Sequence, residues 1–177
     1  NYVRAKKKHG SISIVHTIAD TVPRSVCIDI QKIQQVLRKM GETIGVDQCI
    51  VFKIDHTHKT LVIKHSWENS TFRQKKKSGQ EIPFDQISET LKSVRSKSEF
   101  TSSEATQLSK SMQKELQKLF GSRVKSFYMY PLSILQNSDG LICCVSYKRE
   151  LEWNRQHTRL FSMFADIYKN IEDRQRT

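Results

Sequence analysis

The block from Ser126 to Arg174, SFYMYPLSILQNSDGLICCVSYKRELEWNRQHTRLFSMFADIYKNIEDR, leaves this chain little freedom in how it can fold. Asn137 to Gly140 supplies turn residues that tolerate positive φ, and apolar runs flank it on both sides. That pattern predicts an antiparallel hairpin. Two strands bury little by themselves, so the segment that follows has to provide a second layer. Leu160, Phe161, Phe164, Ile167, Tyr168 and Ile171 recur at three- and four-residue spacing, which gives a helix with a wide apolar stripe. Arg159, Asp166, Lys169 and Asp173 fall on its solvated side.

Upstream, Ile14, Val15, Ile18 and Val22 suggest a first helix stopped by Pro23. Asp29 then caps a second, with Ile30, Ile33, Leu37, Met40 and Ile44 as its apolar face and Gly45 as a left-handed terminator. Gln48 to Ile54 and Thr60 to Ser66 are β-rich runs around the five-residue loop Asp55 to Lys59. Trp67 to Gly79 reads as a loop and Glu81 to Phe84 as a short extended piece. Asp85 is placed to cap a helix carrying Ile87, Leu91 and Val94. A short strand at Glu99 to Thr101 follows. From Glu104, the residues Leu108, Met112, Leu116, Leu119 and Phe120 describe another helix, ended by Gly121.

At 177 residues the chain is long enough for one domain with a single core. The reading is a basic lead-in over residues 1–10 and one domain over residues 11–177. The chain opens on Asn1 rather than Met, which leaves open whether it is a fragment of a longer protein. No run approaches the roughly 20 apolar residues of a membrane span, and nothing at the start has signal-peptide character; the expected location is the cytoplasm. The net charge of +12 would suggest nucleic acid if it were spread over a surface. Nine of the twelve excess charges lie instead in residues 1–19 and 59–80. The second segment holds the basic patch Arg73, Lys75, Lys76 and Lys77, whose composition is that of a solvated loop. Without interleaved aromatics or a groove-reading helix, a nucleic-acid partner is disfavoured.

The four cysteines, Cys27, Cys49, Cys143 and Cys144, contain no CxxC pair and no zinc-ribbon spacing. Structural thiols are the simpler reading. Cys143 and Cys144, adjacent on a strand, point to opposite faces. If the first strand pairs with the last, Cys49 approaches one of them, and a disulfide there stands against the reducing cytoplasm.

Several pieces together resemble a GAF domain. The Ser-apolar-apolar-apolar-x-Pro-Leu strand at Ser126 to Leu132, the hairpin Asn137-Ser138-Asp139-Gly140, the apolar strand Leu141 to Ser146, and Trp153 ahead of the last helix are similar to that family's closing block. GVDQCIVFKID, directly after a helix, resembles its opening, and Pro83-Phe84 before a helix is similar to members attached to sensor histidine kinases and diguanylate cyclases. The resemblance covers Ser11 to Arg174. It implies an α+β, GAF/PAS-like fold: a central antiparallel β-sheet with helices on both faces, the N- and C-terminal helices packed together on one side.

In GAF domains ligands sit between the sheet and the variable middle helices. The resemblance therefore makes Trp67, Phe72, Phe84, Phe100, Phe127, Met129 and Tyr130 the candidate pocket walls, although aromatics there also serve simply as core. Tyr128 and Tyr130 share one face of their strand, Phe127 and Met129 the other. Covalent bilin is disfavoured because no cysteine is followed by His. The Asn-Lys…Phe-x-x-x-Asp-Glu signature of cyclic-nucleotide binders is absent, Lys169-Asn170 being reversed and in the last helix. The loop cysteines of methionine sulfoxide reductases are absent too. His56, His58 and His65 could be read as metal ligands, but no further donor completes a set and no metal is expected. No Gly-x-Ser-x-Gly elbow or Gly-rich phosphate cradle is present.

The expected role is thus a non-catalytic sensory or regulatory module of a signal-transduction protein, such as a two-component system. It would take an unknown small ligand, with no cofactor, or relay a signal through a homodimer formed by the helices at residues 11–22 and 155–173. A flanking kinase or cyclase domain would be the output. The alternatives are a basic binding module, using the patch at Arg73 to Lys77 on nucleic acid or an acidic protein, and a small-molecule enzyme acting through Cys143 or Cys144.

Overall fold

A computed structural model of the chain describes residues 24–72, 78–96, 99–135 and 138–176. The chain divides into two units, Asn1–Ile33 and Gln34–Thr177. The predicted helix over residues 11–22 lies outside the described residues. Of the first unit the structure describes residues 24–33, the opening turns of helix α1 (Arg24–Ile44). This helix starts five residues ahead of the expected cap, so Asp29 lies inside it and does not cap it. The expected apolar face also begins later, since Ile30 is exposed.

The second unit is built on one sheet. Its strands are β1 (Gln48–Asp55), β2 (Thr60–Glu68), β3 (Glu81–Pro83), β4 (Phe100–Ser102), β5 (Ser126–Leu135) and β6 (Ser138–Ser146). They lie in the order β3-β2-β1-β6-β5-β4, every neighbouring pair antiparallel. Three further helices are described: α2 (Ser88–Ser96), α3 (Lys110–Phe120) and α4 (Arg155–Arg176). This is the α+β arrangement expected from the sequence.

The strands differ from their predicted limits in instructive ways. β2 runs on to Glu68, so Trp67 is a strand residue opposite Cys49 and not part of the following loop. Asp85 sits in a short 3-10 turn, Phe84–Gln86, and α2 begins only at Ser88. β5 tolerates Pro131 because β4 pairs only with Phe127 to Met129, leaving the proline on an open edge opposite Leu141. Asn137 of the predicted hairpin turn lies outside the described residues, while the strands on either side pair from Ser126↔Ser146 to Leu135↔Ser138.

Helix ends follow their chemistry. Gly45 (φ +82°) and Gly121 (φ +77°) take the left-handed conformation in which glycine carries no steric cost, and the Gly121 amide donates to the Gln117 carbonyl at 2.7 Å. Ser109 caps α3 by accepting from the Met112 amide at 3.2 Å, and Asn154 caps α4 by accepting from the His157 amide at 3.1 Å.

The two sheet faces are covered differently. Ile50, Phe52, Ile63, Phe127, Met129 and Cys143 face α2 and α3, where Leu91, Val94, Leu116 and Phe120 close over them. On the other face Cys49, Val51, Cys144, Tyr128, His65 and Trp67 lie beneath α4 and the second-unit part of α1. Phe161 stacks on Tyr128 at 4.2 Å, Tyr168 meets His65 edge-on at 6.2 Å, and Trp67 lies against Gly41. A register shift between Val51 and Phe52 puts His65 opposite Val51 and so turns it to this face.

Candidate functional site

The face under α2 and α3 is filled by the protein's own side chains. Phe100 packs edge-on against Phe127 at 4.9 Å and stands opposite Met129 in the β4–β5 pairing; Phe127 and Met129 are wholly buried. These three candidates come together, but as core. A side chain whose every face is occupied by neighbours presents no wall to a ligand.

The other four candidates are dispersed. Tyr130 lies on the opposite face, its ring centroid 6.0 Å from Phe161. Phe72 stacks nearly parallel on Tyr147 at 4.6 Å. Phe84 meets His56 edge-on at 6.4 Å and lies beneath the Arg95 guanidinium, 5.8 Å from the ring centre. It lines a cleft of about 470 Å³ with Leu91, Lys92 and Arg95. Trp67 lines a separate cleft of about 550 Å³ with Arg38, Gly41, Glu42 and Glu68. Its ring occupies the space a side chain on residue 41 would need: a β-carbon there would lie 2.1 Å from Trp67 Cζ3. The glycine inside α1 is therefore the complement of the tryptophan. A third cleft, about 320 Å³, runs along α3 and carries three cations, Lys110, Lys114 and Arg123. All three volumes lie in the range of small-ligand sites, and all three are surface clefts outside the filled interior. The basic patch Arg73, Lys75, Lys76 and Lys77 lies outside the described residues.

The polar groups of the opposite face are held in defined contacts. Tyr128, between Phe161 and the edge of Trp153 (5.3 Å), hydrogen-bonds Thr158 Oγ1 at 2.9 Å and donates to Glu99. Burial first, then the Glu99 contact, pushes its phenol well above the ordinary tyrosine range. His65 is desolvated under Tyr168, which holds its pKa down to about 4. His58 is the opposite case: its Nδ1 lies 2.8 Å from Asp55 Oδ2, which raises the imidazole pKa and lowers that of the carboxyl. His56, His58 and His65 thus go to three different neighbours. Among the described residues no group of three or more His, Cys, Asp or Glu is placed to hold a metal ion.

The cysteines occupy the sheet centre. Cys49 and Cys144 face each other across β1 and β6 with their Sγ atoms 3.0 Å apart, and Cys143 projects to the other side. Burial pushes the Cys143 and Cys144 thiols up, which keeps them protonated; nucleophilic chemistry needs the thiolate.

Several residues hold the framework through contacts that the local pattern does not reveal. Asp47, of the Gly-Val-Asp run, accepts from the Tyr147 amide at 2.8 Å, and Arg149 Nη2 donates to the Gly45 carbonyl at 2.6 Å. Ser126, the first residue of the Ser…Pro-Leu strand, is fully buried and accepts from the Leu151 amide at 2.8 Å. It fixes the segment leading into α4. Trp153 Nε1 donates to the Ser102 carbonyl at 3.2 Å and fixes the same segment from the β4 side.

No family model matches the chain, and no curated protein matches it. Solved structures do. The blue-light absorbing form of the Thermosynechococcus elongatus PixJ GAF domain superposes with a TM-score of 0.65 at 14% identity, covering 88% of this chain and 93% of that one. The fold is that of a GAF domain. A methyl-accepting chemotaxis protein fragment aligns over 82% of this chain and 89% of its own, with TM-score 0.63 and 14% identity. A far-red absorbing domain with bound biliverdin aligns over 87% and 100%, with TM-score 0.63 and 16% identity. Among the described residues no helix is long and apolar enough to cross a membrane.

Proposed function

We propose that this GAF domain is a non-catalytic sensory or regulatory module that passes a signal through α4. The observation that carries this reading is the way α4 is seated. Phe161, Phe164, Tyr168 and Ile171 are buried on the sheet, whereas Met163, on the same helix, is 59% exposed. A helix of 22 residues, about 33 Å long, is thus fixed to the sheet along one side and offers an apolar residue on the other. Such a helix can pair with a copy of itself and transmit a shift of the sheet beneath it. The chemotaxis protein and the light-absorbing domains of the same fold support a signalling role, and a kinase or cyclase output in a cytoplasmic protein fits it.

The filled layer under α2 and α3 favours relay over deep ligand binding. A ligand would have to displace Phe52, Phe120 or Phe127, each essentially unexposed. Covalent bilin attachment is disfavoured here because no cysteine is followed by His and because Cys49, Cys143 and Cys144 are buried in strands.

Light scattering across a concentration series tests the relay. A concentration-dependent dimer, weakened by Met163→Glu without loss of helical signal, is the expected result. A strict monomer at high concentration would overturn the pairing. Visible absorbance after co-expression with bilin-producing enzymes would overturn the chromophore-free reading.

A further inference from the structure

The two middle strands of the sheet, β1 and β6, are joined by their backbone ladder and by one close side-chain approach that the relay does not use. Cys49 and Cys144 are directly opposed in the register, and their Sγ atoms are 3.0 Å apart. Residues directly opposed on antiparallel strands have α-carbons roughly 4.5–5.5 Å apart, inside the span a disulfide bridges. Both thiols are fully buried, on the same sheet face, and 95 residues apart in sequence. Cys143, next to one of them, points to the other face and cannot compete.

We propose that Cys49 and Cys144 are a covalent cross-link site: the chain closes a disulfide between β1 and β6 when it folds in the presence of a small disulfide oxidant. The balance is that of two successive exchanges. One cysteine thiolate attacks the oxidant's S–S bond, forming a mixed disulfide and releasing one small thiol. The second cysteine then attacks the protein-side sulfur, forming the Cys49–Cys144 bond and releasing the other small thiol. Two protein thiols are oxidised and one disulfide molecule is reduced to two thiols. Once β1 and β6 are paired both sulfurs are sealed from solvent, and burial keeps the Cys144 thiol protonated. The bond is therefore made during folding and afterwards protected from reduction.

The test is to refold the full chain in buffer containing glutathione disulfide, or in dithiothreitol as a control, then alkylate free thiols in denaturant and map peptides. Of the four cysteines, two, Cys27 and Cys143, are expected to be alkylated in the oxidised sample, with a peptide pair linked through Cys49 and Cys144 and lighter by two hydrogens. Four alkylated cysteines, or a dominant link through Cys27 or Cys143, would overturn the proposal. Thermal melting of the chain refolded in glutathione disulfide gives an independent reading. A 95-residue separation predicts that strong reductant plus denaturant pretreatment lowers Tm by about 10 °C. The same pretreatment should leave C144A unmoved. A wild-type Tm as insensitive as that of C144A would refute the cross-link.

Discussion

The two faces of this sheet are built on different principles. Beneath α2 and α3 the layer is apolar and closed, with Phe52, Phe127, Met129 and Phe120 interlocked and almost no exposed area. Beneath α4 and the second-unit part of α1 the layer mixes aromatic rings with groups that can donate, accept or titrate: Tyr128 with Glu99 and Thr158, His65 under Tyr168, Trp67 against a glycine. A closed apolar layer resists change because every displaced atom costs contacts. The layer under α4 is also largely buried, but its hydrogen-bonding and titratable groups give single positions at which it can be altered. The face that carries the long helix is thus the one that holds the directed polar contacts.

Substitutions on each face can break this contrast. Phe127→Ala on the closed face should cost about 3–5 kcal/mol in chemical denaturation, since the surrounding side chains cannot collapse into the space. A loss below about 1 kcal/mol would show that layer to be loose. On the face beneath α4 the largest expected effect depends on pH. His65 titrates near 4 in the folded chain against 6.5 for an unperturbed imidazole, so the unfolded state takes up a proton first as pH falls. Stability should drop from about pH 6.5 and level off near pH 4, by about 3 kcal/mol. His65→Gln should flatten that part of the curve, although His58, whose pKa is raised, contributes with the opposite sign. The smallest effect sharpens the comparison. Gly41→Ala should gain about 1 kcal/mol from helix propensity, yet the Trp67 ring stands where the new methyl must go. Net destabilisation of about 1–2 kcal/mol is expected. In a double-mutant cycle, Trp67→Ala should remove most of it; additivity would show that ring and glycine are not coupled.

Much of the framework was legible in the sequence because its signals are local. The stripe from Phe161 to Ile171, the glycines after α1 and α3, and the apolar runs around Asn137 to Gly140 each act within a few residues. What escaped depends on partners far along the chain. Nothing near Asp29 reveals that the helix already started at Arg24, and nothing near Trp67 reveals that a glycine in α1 makes room for its ring. The role of Ser126 becomes visible only when Leu151 is brought beside it. The candidate walls did not line one cleft for a different, local reason. Aromatic composition marks residues that pack, while the strand parity that sends Phe127 inward and Tyr130 to the opposite face separates them. The sequence placed the cysteines on strands; the register decided which two meet.

The strand order has a consequence for biosynthesis. Because β1 and β6 are neighbours, the first strand to leave the ribosome has one partner at once in β2 and must wait for the other until the chain has grown past Ser146. The β1–β2 and β5–β6 hairpins can each form while translation continues, but the middle of the sheet closes only after synthesis of nearly the whole domain. Until then β1 exposes an unpaired apolar edge of Cys49, Ile50 and Val51, the form of nascent chain most open to aggregation. Chaperone dependence and translation rate, more than the final packing, should therefore govern how much of this protein a cell recovers.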